Sequence, residues 1–226
     1  MGKFRKFVQD ATFGSRREDA AQIPKNGIGL FWFVLRNHYL QMILLNLLFV
    51  ALCLPVVTIP AAYSGLMAVL MKWTRRAPAV EILPTFFAEF KSHFWGKLGV
   101  WLLTAAAPLS AAGYVYLFTG NEAAFYALLL IFSLAVFLLQ SYFFAQLCVL
   151  ELSAGGALKN SFILLGLEWK RTLRILATGG LLLILCVVLT TYMIPFILLC
   201  VFSLTALSVC SETSAVIDSR LCGKPS

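Results

Sequence analysis

Residues 98–150 read LGVWLLTAAAPLSAAGYVYLFTGNEAAFYALLLIFSLAVFLLQSYFFAQLCVL, and Glu122 is the only charged residue among them. A membrane-spanning helix needs about 20 apolar residues, so this block is long enough for two spans. The sequence Thr119-Gly120-Asn121 near its middle is typical of a turn. The block therefore predicts two spanning helices joined as a hairpin.

Two further blocks, residues 37–71 and 175–211, contain no Asp, Glu, Lys or Arg. The first block is broken at Pro55 and Pro60, because proline lacks a backbone donor and disfavours helical geometry in the residue before it. The third block has a turn signal between residues 190 and 195. These two blocks therefore predict one further hairpin each.

The composition argues against a water-soluble protein. Hydrophobic residues make up 61% of the chain and charged residues 12%, and the mean hydropathy is +0.88. Soluble domains are about 45–50% apolar and about 25% charged. The net charge of +8 is compatible with nucleic acid binding, but the cations flank long uncharged blocks instead of lining one helix face. We therefore expect no nucleic acid partner.

All 18 Lys and Arg residues lie outside the three blocks. Lys and Arg concentrate in short cytoplasmic loops, and three hairpins would place every one of them on the same side. Five spans would instead put one basic cluster outside. We therefore predict an all-α polytopic membrane protein whose six transmembrane helices form three hairpins joined by cytoplasmic amphipathic segments. It would lie in a bacterial plasma membrane with both termini cytoplasmic.

This topology divides the chain into three parts. Residues 1–36 would form a basic, amphipathic cytoplasmic leader, residues 37–211 the transmembrane bundle, and residues 212–226 a cytoplasmic tail. Within the bundle, residues 72–97 and 151–174 would form the cytoplasmic loops.

The break in the first hairpin is the first candidate functional region. Ala61 to Trp73 gives 13 residues, about 20 Å of helix, against an apolar core of about 30 Å. Either the bilayer thins here or the break lies below the outer surface. Polar groups at such a break hold helices together or bind a neutral solute. The candidate residues are Pro55, Thr58, Pro60, Tyr63 and Ser64.

Aromatic residues mixed with cations precede the second and third hairpins. A helix starting near Pro84 would carry its phenylalanines on one face, opposite Glu89 and Ser92. Such a face favours contact with lipid headgroups, and the alternative is a docking surface for a protein partner. The candidate interface residues are Phe86, Phe87, Phe90, Phe94, Trp95 and Trp169.

The three blocks lack the groups that catalysis and metal binding require. Acid–base pairs, proton relays and metal sites need ionisable or ligating side chains, and only Glu122 is available, at an outer turn. The six cysteines form no close CxxC pair and are expected to be apolar fillers. We predict no enzymatic activity, no cofactor and no metal. The loop acids are expected to be solvated: Glu81, Glu89, Glu151 and Glu168.

Three segments carry a family resemblance. Leu54-Pro55-Val56-Val57-Thr58-Ile59, with Asn46 before it, residues 86–97 and residues 157–173 resemble the opening hairpin and the two cytoplasmic loops of the YesL-like membrane proteins of Firmicutes. Pro60 stands where such proteins usually have Gly. That family has no known function. The resemblance implies an association with carbohydrate-uptake systems and supplies no catalytic or binding residues.

Three classes of function are open. The first is an accessory protein that binds or regulates a carbohydrate ABC importer, because short loops and uncharged helices suit lateral packing. Its partners would be the lipid bilayer, permease subunits of the importer or a second copy of the chain. The alternative is a permease or channel for a neutral solute such as an oligosaccharide. An enzyme acting on lipid is disfavoured by the lack of ionisable groups within the blocks.

Overall fold

The computed structural model describes residues 27–75, 80–150, 152–181 and 200–221, which form helices and short turns without any strand. The α-helices are α1 Gly27–Leu52, α2 Ile59–Thr74, α3 Ile82–Lys91, α4 Phe94–Thr119, α5 Glu122–Leu147, α6 Ala154–Leu167, α7 Trp169–Ile175 and α8 Phe202–Val216. A 3-10 turn, Val56–Thr58, precedes α2, and π-helical turns follow α7 at Leu176–Gly180 and α8 at Ile217–Leu221.

Four helices in the described ranges are long and apolar enough to cross a membrane: α1, α2 with its preceding turn, α4 and α5. They confirm the all-helical, membrane-type architecture. The predicted turn of the third hairpin lies in residues 182–199, which fall outside the described residues, as does the leader up to residue 26. Six spans and the placement of the termini therefore stay predictions.

Helix α1 begins at Gly27, well before the predicted start of the first span. It bends at His38, whose backbone angles (φ −121°, ψ 21°) are not helical. The His38 ring stacks on the Trp73 ring at a centroid distance of 4.6 Å. The predicted boundary between leader and bundle thus coincides with a bend inside one helix.

Helix α2 lies at the centre of the described bundle, where it contacts α1, α3, α4, α5 and α8. Thirteen of its 16 residues are buried. Small residues allow this crowding, because they let neighbouring backbones approach closely. At Gly65 an added Cβ would lie 2.9 Å from the carbonyl oxygen of Phe86, so α3 packs directly on the α2 backbone. The small residues are Ala61, Ala62, Ser64, Gly65 and Ala68.

Helices α4 and α5 form the hairpin predicted from residues 98–150. The turn lies at Gly120, which has a φ of +61°, and the Asn121 side chain caps α5 by accepting from the Ala124 N–H at 3.1 Å. This confirms the predicted turn. Each helix has 26 residues, about 39 Å in length, and the exposed residues concentrate towards the turn, while residues 141–147 at the other end of α5 are buried.

Helix α8 is buried although it is rich in Ser and Thr. Its hydroxyls donate to carbonyl oxygens one turn earlier in the same helix, as Thr205 does to Val201 at 2.9 Å, so few polar groups need outside partners. The Asn46 side chain of α1 accepts from the Ser203 N–H at 2.9 Å. The helical structure continues beyond the predicted end of the bundle at Ser211, because the apolar Val216 and Ile217 are fully buried.

Candidate functional site

The Pro55 to Pro60 break forms a tight turn between α1 and α2. The Thr58 hydroxyl lies within hydrogen-bonding distance of the Leu52 and Pro55 carbonyl oxygens, and the Thr58 N–H donates to the Pro55 oxygen at 3.0 Å. Pro60 occupies the first turn of α2, where its missing N–H leaves no helical bond unmade. Thr58 and Pro60 therefore build the turn, and the Thr58 hydroxyl is already engaged.

A cavity of about 190 Å³ lies directly behind this break. The Gln140 amide donates to the Thr104 hydroxyl at 2.9 Å, and Gln140 lines this mainly aromatic space. The Tyr63 ring packs edge-on against Phe144 at 5.2 Å. Six of the ten lining residues are aromatic, namely Phe49, Tyr63, Trp101, Phe137, Phe144 and Phe202, and the others are Ile59, Pro60, Gln140 and Thr205.

The break lies far from the turn of the α4–α5 hairpin. Trp101 of α4 lines the same cavity as Pro60, and α4 continues from Trp101 for another 18 residues, about 27 Å, before it ends at Thr119. The turn between α1 and α2 carries exposed apolar side chains at Leu54, Val56 and Val57. The two described hairpins therefore reach very different depths.

A buried polar cluster, which the sequence did not predict, joins α2, α3 and α4. The Ser64 hydroxyl donates to Glu89 Oε1 at 2.8 Å, and Lys97 Nζ donates to the same oxygen at 2.7 Å. Lys97 also donates to the Glu89 carbonyl oxygen at 2.6 Å and to Ser92 Oγ at 3.1 Å. All three protons of the ammonium group thus have acceptors. We call Ser64, Glu89, Ser92 and Lys97 the buried ion-pair cluster.

The charged side chains of this cluster are largely shielded from solvent. The Lys97 side chain is 0% exposed and that of Glu89 is 18% exposed. Glu89 is therefore not the solvated loop acid that the sequence predicts. A buried ion pair adds little net stability, but removing one partner costs about 3–5 kcal/mol because the other charge stays buried. The only sequence signal was a lysine at the start of an uncharged block, eight residues after an acid.

Local backbone geometry brings the two charges together. Helix α3 runs antiparallel to α2, since Thr85 bonds Lys72 near one end and Glu89 bonds Ser64 farther along. His93 then takes a left-handed conformation (φ 45°) that ends α3 and starts α4. This places Lys97, in the first turn of α4, beside Glu89 in the last turn of α3.

Cys148 lies next to the cluster. Its thiol donates to the Ser64 carbonyl oxygen at 3.4 Å. Burial raises the pKa of the Cys148 thiol, and the nearby Glu89 raises it further, while Lys97 acts in the opposite direction. A thiol with a raised pKa is a poor nucleophile, which agrees with the expected role as a filler.

The predicted aromatic interface separates into two groups. Phe86 is fully buried against Gly65 and Phe90 is partly buried, with ring centroids 6.4 Å apart. Phe86 has no surface left for lipid or a partner, because α3 uses this face to pack on α2. Phe94 is also partly buried. The exposed members are Phe87, Trp95, which is 78% exposed, and Trp169.

Ion pairs gather where α2 ends and α7 begins, and we call this the basic end of the bundle. Arg75 pairs with Asp218, and Glu168 pairs with Arg171 and Arg220. Glu168 is thus ion-paired, Glu81 is exposed before α3, and Glu151 falls outside the described residues.

Glu212 at this end pairs with Arg174 at 3.4 Å. Burial raises the pKa of the Glu212 carboxyl, and Arg174 and Arg171 oppose that shift. Across the described ranges, no three His, Cys, Asp or Glu residues come together as a metal site would require.

The fold and these sites define an all-helical protein whose long apolar helices are of the membrane-spanning class. Residues 42–111 match the family described as "Protein of unknown function, DUF624". The matched segment contains the break, Ser64, Glu89 and Lys97, so the chain is similar to that family over the region that holds both candidate sites. No curated protein and no solved structure matches the chain.

Proposed function

We propose that this chain is an accessory or regulatory integral membrane protein of a bacterial plasma membrane that acts by binding another membrane protein. The observation that supports this most is the outer part of the α4–α5 hairpin. It stands clear of the rest of the described bundle, with Leu117 82% exposed and aromatic side chains on both helices. Those exposed aromatics are Tyr114, Tyr116, Phe118 and Tyr126.

Such a surface suits lateral association. Aromatic anchors dominate the binding energy of protein interfaces, and helices in lipid associate through close packing. Tyr114 and Phe118 are neighbours on one face of α4, with ring centroids 4.5 Å apart. The acids Glu89 and Glu168 are held in ion pairs, which supports a structural role for them instead of a catalytic one.

The proposed partner is the permease subunit of a carbohydrate ABC importer, on the basis of the resemblance to YesL-like proteins of Firmicutes. Co-purification with a tagged chain in mild detergent should recover permease subunits. The Tyr114→Ala/Phe118→Ala variant should lose them, and Phe162→Ala, a change to an exposed aromatic on α6, should retain them. Recovery of the tagged chain without permease subunits, in several mild detergents and with the importer's carbohydrate substrate present, would contradict the proposal. Recovery of a differently tagged second copy would point to self-association.

A second candidate, a permease or channel for a neutral solute, is favoured by the aromatic cavity at the break. Aromatic faces with a few amide and hydroxyl groups bind neutral solutes such as sugars, and Tyr63, Gln140 and Thr205 supply those groups. Uptake of labelled oligosaccharides into proteoliposomes tests this. Tyr63→Phe should slow uptake, because it removes a hydroxyl and keeps the ring. Sealed vesicles without flux across a broad sugar panel would exclude this function.

A further inference from the structure

A pocket of about 270 Å³ with charged side chains at its rim and apolar side chains below opens at the basic end, between the ends of α2, α5 and α8. Lys72 lines it from the last turn of α2, Arg75 from the residue that follows α2, Cys148 from the chain after α5, and Asp218 from the turn after α8. A water molecule occupies about 30 Å³, so this space accommodates a phosphate group with an attached glycerol.

The charges in this pocket are not balanced. Lys72 and Arg75 are three residues apart and therefore share one face of the helix. Arg75 Nη2 donates to Asp218 Oδ1 at 2.5 Å, which uses one of its five N–H groups. Lys72 Nζ donates to the neutral Thr85 hydroxyl at 3.0 Å, and within the described ranges no carboxylate pairs with it. Two cations thus face one carboxylate.

We propose that this pocket binds a phosphate-bearing anion, with Lys72 as its main ligand and Arg75 as the second. Basic pockets between transmembrane helices bind the phosphates of anionic lipid headgroups, and a soluble phosphate ester offers the same chemistry. Asp218 competes with the anion for Arg75. This site is separate from the α4–α5 surface and does not depend on the partner proposed above.

The test uses the full-length chain in a non-ionic detergent and measures lipid binding by native mass spectrometry. Phosphatidylglycerol should bind more tightly than the zwitterionic phosphatidylcholine. Lys72→Gln should weaken phosphatidylglycerol binding about fivefold, the effect of one cation near an anionic lipid. Lys72→Arg should retain binding, and Asp218→Asn should tighten it by freeing Arg75. Lys159→Gln, the same charge change at an exposed position on α6, is the matched control and should have no effect.

Glycerol 3-phosphate and inorganic phosphate distinguish the two sources of the anion. If they compete with phosphatidylglycerol in the wild-type chain but not in Lys72→Gln, the pocket takes soluble phosphates as well. If they do not compete, the ligand is the lipid headgroup. The thermal unfolding of each variant without lipid identifies any variant that fails to fold. Equal losses in Lys72→Gln and Lys159→Gln, or no preference for phosphatidylglycerol, would overturn the proposal.

Discussion

The α1–α2 and α4–α5 hairpins come from similar uncharged sequence but differ in how they are used. Helix α2 is enclosed by five other helices, whereas the first 16 residues of α5, up to Phe137, include no buried residue and only its last part is packed within the bundle. Small residues alone do not make the difference, because α4 carries them too, from Ala105 to Ala107 and from Ala111 to Gly113. In α2 a small residue is in close contact with another helix, at Gly65, whereas nothing lies within 4 Å of a Cβ added at Gly113 in α4. Hydropathy therefore identifies a membrane-type helix, but the position of the helix in the bundle decides whether its small residues are packed against protein.

The buried ion-pair cluster connects the two hairpins, and breaking it should have the largest effect. Lys97→Met leaves Glu89 without its cation in a buried position, so we expect a loss of about 3–5 kcal/mol in the free energy of unfolding. Denaturation by SDS in mixed micelles measures this. The double variant Glu89→Gln/Lys97→Met should recover part of the loss, because no unpaired charge remains. A single variant as stable as the wild type would show that the cluster does not join the hairpins.

The close approach of α3 to α2 gives the next largest effect. Gly65→Ala places a Cβ against the backbone of Phe86, and we expect a loss of about 1–3 kcal/mol from overpacking. Gly113→Ala in the α4–α5 hairpin is the matched control, since nothing lies within 4 Å of its added Cβ. That variant should be as stable as the wild type or gain about 0.5–1 kcal/mol from helix propensity. The same response at both glycines would contradict the contrast between the hairpins.

The turn of the first hairpin should contribute less to the free energy of unfolding than the two contacts above. Thr58→Val removes the hydroxyl that bonds the Leu52 and Pro55 carbonyl oxygens and keeps the shape of the side chain. We expect a loss of about 0.5–1.5 kcal/mol in SDS denaturation. Thr58→Ser, which keeps the hydroxyl, should lose less. Equal losses in the two variants would assign the effect to packing.

The exposed end of the α4–α5 hairpin should contribute least to stability. Leu117→Ala removes an exposed side chain, so the free energy of unfolding in detergent should change by less than about 0.5 kcal/mol. Leu66→Ala in α2, where the side chain is 0% exposed, should cost about 2–5 kcal/mol. A large loss at Leu117 would mean that this end is packed within the protein.

The sequence predicted the α4–α5 hairpin and its turn at Gly120 well, because a block whose only charge is Glu122, next to its one turn signal, has few alternatives in lipid. The course of α3 was not predictable. Its phenylalanine face has the pattern of a helix on a membrane surface, and the same pattern serves to pack on α2. Only the contact of Phe86 with Gly65 distinguishes the two, and it depends on residues 21 positions apart.

The candidate site was also predicted only in part, because some of its contacts join residues that are far apart in the sequence. Proline chemistry located the break, and the structure places a cavity behind it. The sequence also selected Ser64 as a polar residue at the break, but its partner Glu89 is 25 residues away. Pairings of this kind depend on how helices turn back on one another, for which a single sequence carries little signal.

The turn between α1 and α2 also bears on how the chain enters the bilayer. Leu54 to Ile59 contains no charge, and its one polar side chain, Thr58, is bonded to nearby carbonyl oxygens. Carrying this turn into hydrocarbon buries no charge, and the cost is that of its few backbone donors without an acceptor in the described part of the chain, at Leu54, Val56 and Val57. A turn of this kind is much shorter than a loop, so the two helices could insert together as a pair. In the predicted topology the α4–α5 hairpin must instead carry Glu122 across the membrane.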